Sequence, residues 1–198
     1  MHIGILALQG AVEPHRVKFA QLGVEARPVR KPEELASCAG LVLPGGESTT
    51  LLKLIGAYHL RESLEQFAST RPVWGVCAGA ILMSAEVVDP TQESLGLMPV
   101  RIQRNGYGRQ NESFVTELDF RYPGESPKKQ EGVFIRAPKV QQVGEGVVTL
   151  ARHNELPVAL LFNHHLLTTF HPELSPESSL HEFFGDLVQR ADQQRQAS

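Results

Sequence analysis

Three apolar runs in this chain end alike, each breaking into a glycine-bearing turn. HIGILAL (2–8) breaks at Gln9-Gly10, GLVL (40–43) at Pro44-Gly45-Gly46, and the run from Pro72 to Val76 at Cys77-Ala78-Gly79. Runs so short and so uniformly apolar lack the polar alternation of a half-solvated strand and fit strands buried on both faces. A helical stretch follows each: about Glu13 to Leu22, a helix starting near Ser48 and Thr49 as caps, and the apolar residues after Gly79. VEARPV (24–29) reads as a further strand, and Leu60 to Ala68 as a further helix. Pro32-Glu33-Glu34-Leu35 opens a short helix with proline where its missing N–H costs least. The pattern predicts an α/β fold of three layers, a mostly parallel sheet flanked by helices.

The second half changes character. Residues 97–162 carry the shorter β-like runs VRIQ, SFVTEL, GVFIR, VQQV, VVTLAR and PVALLF. These are expected to add antiparallel hairpin strands to the parallel sheet. DFRYPGESPKKQEG (119–132) reads as an exposed connection among them. HHLLTTF (164–170) is a last strand running into HPEL, and SSLHEFFGDLVQRADQQ (178–194) has the apolar spacing of a closing helix. With 198 residues and neither repeat nor linker, the chain 1–198 is expected to form one domain with a substantial core.

Composition removes several classes of function. The formal charge of −3 comes without a basic block, which argues against nucleic acid or an anionic membrane as partner. Cys38 and Cys77 form no CxxC or Cys/His spacing, so no metal site is expected, and two free thiols suit a reducing compartment. MHIGILALQG is too short for a membrane span and has no basic leader before it, so a cytoplasmic location is expected.

Chemistry concentrates at three places. The first is Gly75-Val76-Cys77-Ala78-Gly79, where a strand, a G-x-C-x-G turn and an apolar helix match a nucleophile elbow with Cys in place of Ser. Small neighbours give clearance where strand and helix approach, and a helix N-terminus favours the thiolate. The competing reading is a buried cysteine beside packing glycines. The second is Phe170-His171-Pro172-Glu173, a base with a carboxylate two residues on that could fix its tautomer. A plain strand-end turn is the alternative, and His164 and His165 are rival bases without so placed an acid. The third is Pro44-Gly45-Gly46-Glu47-Ser48, whose backbone N–H at Gly46, with that of Ala78, could receive an oxyanion. Alone it is an ordinary strand-to-helix turn. In an open α/β sheet, however, ligands gather at the carboxyl ends of strands, where all three lie. Their joint occurrence points to a cysteine acyl-transfer enzyme with Cys77, His171 and Glu173 as its triad.

These residues resemble the class I, triad-type glutamine amidotransferase fold, a flavodoxin-like arrangement. Within it they are similar to the glutaminase subunits of pyridoxal 5′-phosphate synthase, the PdxT/SNO family. The strings that carry the resemblance are ILALQG, LPGGEST at 43–49, GVCAG, RNGYGRQ at 104–110, FIRAP at 134–138 and FHPEL at 170–174. GxCxG and HPE are shared with glutaminases of other synthases, such as the histidine-pathway one, and a related α/β cysteine hydrolase is a further alternative. PGGEST and RNGYGRQ favour the first family. The resemblance implies hydrolysis of L-glutamine to glutamate and ammonia, with no metal or organic cofactor. It also implies a separate (β/α)₈ synthase subunit of the PdxS/SNZ type, which uses the ammonia to build the vitamin B6 cofactor. Carried over by motif, Cys77 is nucleophile, His171 base and then acid, and Glu173 the orienting carboxylate. Gly46, Glu47, Ser48, Arg104, Ile135 and Arg136 would hold glutamine, and activity is expected to be weak until the partner docks. Ala11, Ala80, Gly106 and Tyr107 differ from the residues expected of the family at those positions.

Overall fold

The computed structural model of the chain describes residues 2–106 and 113–197; Tyr107 and the rest of the RNGYGRQ string beyond Gly106 lie outside the described residues. The first half follows the predicted alternation: β1 (Ile3–Leu6), α1 (Val12–Gln21), β2 (Ala26–Val29), α2 (Pro32–Ala36), β3 (Gly40–Leu43), α3 (Ser48–Ala57), α4 (Arg61–Ala68), β4 (Val73–Val76) and α5 (Ala78–Met83). Seven further strands follow: β5 (Ser84–Val88), β6 (Met98–Gln103), β7 (Ser113–Phe120), β8 (Lys128–Ile135), β9 (Lys139–Val143), β10 (Val148–His153) and β11 (Leu156–Phe162), then β12 (His165–Thr168). A 3-10 turn (Pro172–Leu174) and α6 (Ser179–Gln196) complete the chain.

The main sheet has seven strands in the order β10-β11-β12-β4-β3-β1-β2. The five from β12 to β2 are parallel, and β11 and β10 extend the edge antiparallel. Alternate residues of each buried strand serve opposite layers, as a period of two requires. Ile3, Ile5, Val42, Trp74, Val76 and Leu166 pack with Phe19 of α1 and Phe184 and Val188 of α6. Leu6, Leu41, Leu43, Val73 and Leu167 pack on the other side with Leu51, Ile55, Leu64, Phe67 and Leu82 of α3, α4 and α5.

Of the β runs expected over 97–162, among the described residues the β10–β11 hairpin alone joins the main sheet. The other β runs form a three-stranded sheet, β5-β6-β9, and the separate β7–β8 hairpin. β5 was not legible, because SAEVV continues the apolar run of α5 without a break signal. Half of the expected connection at 119–132 is strand, and 121–127 alone forms the connection. Asp119 and Phe120 finish β7 and Lys128 begins β8, and Tyr122 between them is buried, its ring 4.5 Å from that of Phe183. Aromatic burial overrides the turn-rich composition there. The α3 cap also differs: Glu47 is the N-cap, its carboxylate accepting from the Thr49 N–H, and Ser48 is the first helical residue.

Parallel pairing brings four strand ends into one row, with Thr168 beside Val76, Gly75 beside Leu43, and Ile5 beside Val42. Gln9, Gly45, Cys77 and His171 each lie one to three residues beyond their strand, so the fold places all four at one edge.

Candidate active site

Cys77 sits between β4 and α5 with φ 49° and ψ −99°, a left-handed conformation that a non-glycine residue adopts only when its surroundings enforce it. Its N–H is held by the Thr168 carbonyl at 2.9 Å. The flanking glycines are explained by crowding. A Cβ on Gly79 would lie 1.9 Å from the Leu43 carbonyl oxygen, and one on Gly75 would lie 2.6 Å from the Gly79 carbonyl oxygen. Gly79 therefore lets α5 close on β3, and Gly75 lets β4 close on α5. Ala80 is fully buried in the core under this turn.

His171 arrives from β12, its N–H donating to the Val133 carbonyl of β8 at 2.8 Å. Nδ1 lies 2.8 Å from Oε1 of Glu173, and Cys77 lines the same cleft as the ring. Burial opposes a charge on His171, but the hydrogen bonds and charges of Cys77 and Glu173 outweigh it and hold the pKa up, at about 10. Burial likewise opposes the Glu173 carboxylate, yet the hydrogen bond from His171, helped by the nearby His15 and His171 rings, holds its pKa below the usual carboxylate range. His164 and His165 lie elsewhere: His165 Nδ1 accepts from the Val73 N–H, and His164 meets the Ala68 carbonyl.

The glycine turn after β3 faces this pair. A Cβ on Gly45 would be 2.5 Å from Cε1 of His171, so glycine there lets the ring stand over the turn. The loop after β1, opened by Gln9-Gly10, clamps the same turn. Gln9 Oε1 accepts from the Glu47 N–H at 3.1 Å, and the Ala11 N–H donates to the Gly45 carbonyl at 3.0 Å. The trans Gly45–Gly46 peptide then turns the Gly46 N–H away from that loop. Gly10, at φ 104°, allows the approach, since a Cβ there would lie 2.1 Å from the Gly45 oxygen.

A cleft of about 460 Å³ opens over these groups, lined by Cys77, His171 and Glu173 together with Gly46, Ala78, Glu47, Ser48, Arg104, Ile135 and Arg136. The expected triad, oxyanion and glutamine-binding residues thus meet at one place. Arg104 Nη2 lies 3.1 Å from Glu47 Oε1, a cation and an anion side by side at the cleft wall. Ser48 contributes differently from expectation, because its hydroxyl is committed to Gln92 Oε1 at 2.9 Å. Among the described residues no group of three His, Cys, Asp or Glu side chains could hold a metal ion. Among them, too, no helix is long and apolar enough to cross a membrane.

The arrangement supplies what an acyl transfer needs: a nucleophile on a strained turn, a base with an orienting acid, and backbone N–H groups nearby. Comparison with known proteins identifies the family. Residues 5–190 match the SNO glutamine amidotransferase family. Pyridoxal 5′-phosphate synthase subunit PdxT of Thermosipho africanus is 43% identical over 191 residues, covering 96% of this chain and all of that protein (100%). The PdxT subunit of Geobacillus kaustophilus is 45% identical over 192 residues, covering 96% of each chain. A crystal structure of a glutamine amidotransferase superposes with a TM-score of 0.88 at 40% identity, covering 96% of this chain and 100% of that one. A glutamine amidotransferase of Methylobacillus flagellatus shares the fold, with a TM-score of 0.56 at 16% identity, covering 88% of this chain and 70% of that one.

Proposed function

The chain belongs to the SNO glutamine amidotransferase family, and on that basis we propose that it hydrolyses L-glutamine as the glutaminase subunit of a pyridoxal 5′-phosphate synthase. One observation carries the reading at the level of chemistry. Cys77 on its strained elbow and the hydrogen-bonded pair His171–Glu173 are buried together on one cleft, walled also by Arg104 and Glu47. Such a wall suits an amino acid: Arg104 and Arg136 are of the type that pairs with its carboxylate, and Glu47 of the type that pairs with its ammonium.

The Cys77 thiolate attacks the side-chain amide carbon of glutamine, and the N–H groups of Gly46 and Ala78 receive the oxyanion. His171 gives its proton to the departing nitrogen, so ammonia leaves and a γ-glutamyl thioester remains on Cys77. His171, now neutral, takes a proton from water as the water attacks the thioester carbon. Glutamate departs, and the thiolate–imidazolium pair is restored. Glu173 holds the ring in one tautomer throughout and stabilises its charge.

The whole chain 1–198 acts as one glutaminase domain. Its ammonia serves a separate (β/α)₈ synthase subunit, whose docking raises a weak basal activity by completing the oxyanion site, which guards against futile hydrolysis. A nucleophile that must stay reduced supports a cytoplasmic setting for the pair. Glutamine labelled with ¹⁵N at the side-chain amide tests the assignment. With the synthase partner and its sugar-phosphate substrates present, the label is expected in the pyridoxal 5′-phosphate ring. An unlabelled ring formed while labelled glutamine is consumed would overturn the partnership.

A further inference from the structure

We infer that His15, held by His181, is a positioning residue for the triad carboxylate; the inference rests on the glutaminase reading for its link to turnover. His15 lies on α1 and is fully buried, edge-on to Trp74 with ring centroids 5.6 Å apart. Its Nδ1 is 2.9 Å from Nε2 of His181 on α6, and its Nε2 is 3.6 Å from Oε2 of Glu173. Both His15 Nε2 and Glu173 Oε2 are buried with no hydrogen-bond partner of their own, as is Nδ1 of His181.

Only one proton arrangement suits this chain of atoms. If His15 carried its proton on Nδ1, its Nε2 lone pair would face the carboxylate, and His181 would bury an unpaired Nδ1–H. If each ring carries its proton on Nε2, His181 donates to His15 and His15 points an N–H at Oε2. The orphan is then a lone pair on His181 Nδ1, less costly than a buried N–H. Both rings are neutral near pH 7. Burial pulls His15 down to about 4, and burial with the charges of His15 and Lys18 pulls His181 lower still. The charged or titratable groups facing the pair are Glu173 and His171 from the turn after β12 and Lys18 from α1.

Glu173 thus has a donor assigned to each oxygen: His171 on Oε1 and His15 toward Oε2. A carboxylate fixed through one oxygen can swing about that contact, whereas two donors set its plane and keep it ionised in a buried site. At 3.6 Å the two atoms are an ion-pair distance apart, with no other partner for either. α1 braces the same segment a second time, Lys18 Nζ donating to the carbonyls of Ser175, Pro176 and Glu177 at 2.6, 3.0 and 3.2 Å.

Histidine ¹⁵N NMR of the wild-type protein tests the geometry without any variant: His15 and His181 are both expected as neutral Nε2–H tautomers near pH 7. A charged His15, or a proton on its Nδ1, would overturn the proposal even if no variant folded. His15→Leu, assayed with the synthase subunit, is expected to lower kcat about tenfold with little change in KM, while His15→Gln, which keeps an N–H, stays within about threefold. In the leucine variant His171 should also titrate at lower pH. Wild-type kcat together with an unchanged His171 titration in His15→Leu would sink the positioning role. A wild type inactive on glutamine would instead overturn the glutaminase reading, and the tautomers and the His171 titration would still decide whether His15 sets the carboxylate.

Discussion

Nδ1 of His171 lies 2.8 Å from Oε1 of Glu173 with a single proline between the two residues. The contact forms because the chain enters a 3-10 turn at Pro172, which folds the carboxylate back under the ring. The pair is therefore local and preset, while its other neighbours come from distant elements. Glu173→Gln keeps the shape but replaces a charged acceptor with an amide that can present either face to Nδ1. It should cut kcat by roughly 10³- to 10⁴-fold in a glutamate-release assay, with His171 titrating at lower pH. A loss under about tenfold would mean that the carboxylate does not orient the base.

Stability should peak near pH 6.5, the ordinary histidine value. His171 is raised to about 10, so its contribution is complete below 6.5 and is lost as pH climbs from 6.5 toward 10. His15 and His165 are each lowered to about 4, so theirs is lost as pH falls from 6.5 toward 4. Urea unfolding midpoints across this range test the balance. The His171→Gln variant should lose much of the alkaline decline and keep the acid one.

Two glycines of the site should separate stability from catalysis. In Gly79→Ala the new methyl meets the backbone oxygen of Leu43 at 1.9 Å, so the helix must move. A loss of about 2 kcal/mol or more in denaturant unfolding is expected. In Gly45→Ala the methyl meets the His171 ring, at 2.5 Å from Cε1, and touches Cys77 Cβ at an ordinary 3.6 Å. That ring can shift, and the expected result is about a hundredfold lower kcat with a smaller stability change.

Arg104→Ala removes the cation paired with Glu47 at the cleft wall. If that pair opens to take the two charges of glutamine, KM should rise about tenfold with kcat nearly unchanged. A selective fall in kcat at constant KM would place Arg104 in the chemistry rather than in binding.

Much of this was legible because each part of the triad carries its own local signature. The glycines around Cys77, the doubled glycine after β3 and the His-Pro-Glu string all report backbone constraints that a short window contains. His15 has no such local signature, because its acid is not two residues on and His181 lies 166 positions away. A signal was present even so: α1 buries His15, Lys18 and Phe19, a helical stripe with two polar residues where apolar ones belong. Gln9 gave no such hint, since a polar residue after a strand is what any turn contains. The separate β7–β8 hairpin was hidden for a similar reason. Hydrophobic alternation identifies strands but says little about which sheet receives them.

The central claim is that Cys77 is the nucleophile of a glutaminase, and glutamate release measures it most directly. Wild type with its synthase partner should release glutamate from L-glutamine faster than wild type alone, and Cys77→Ala should release none above background in either case. Release that survives the substitution would contradict the account.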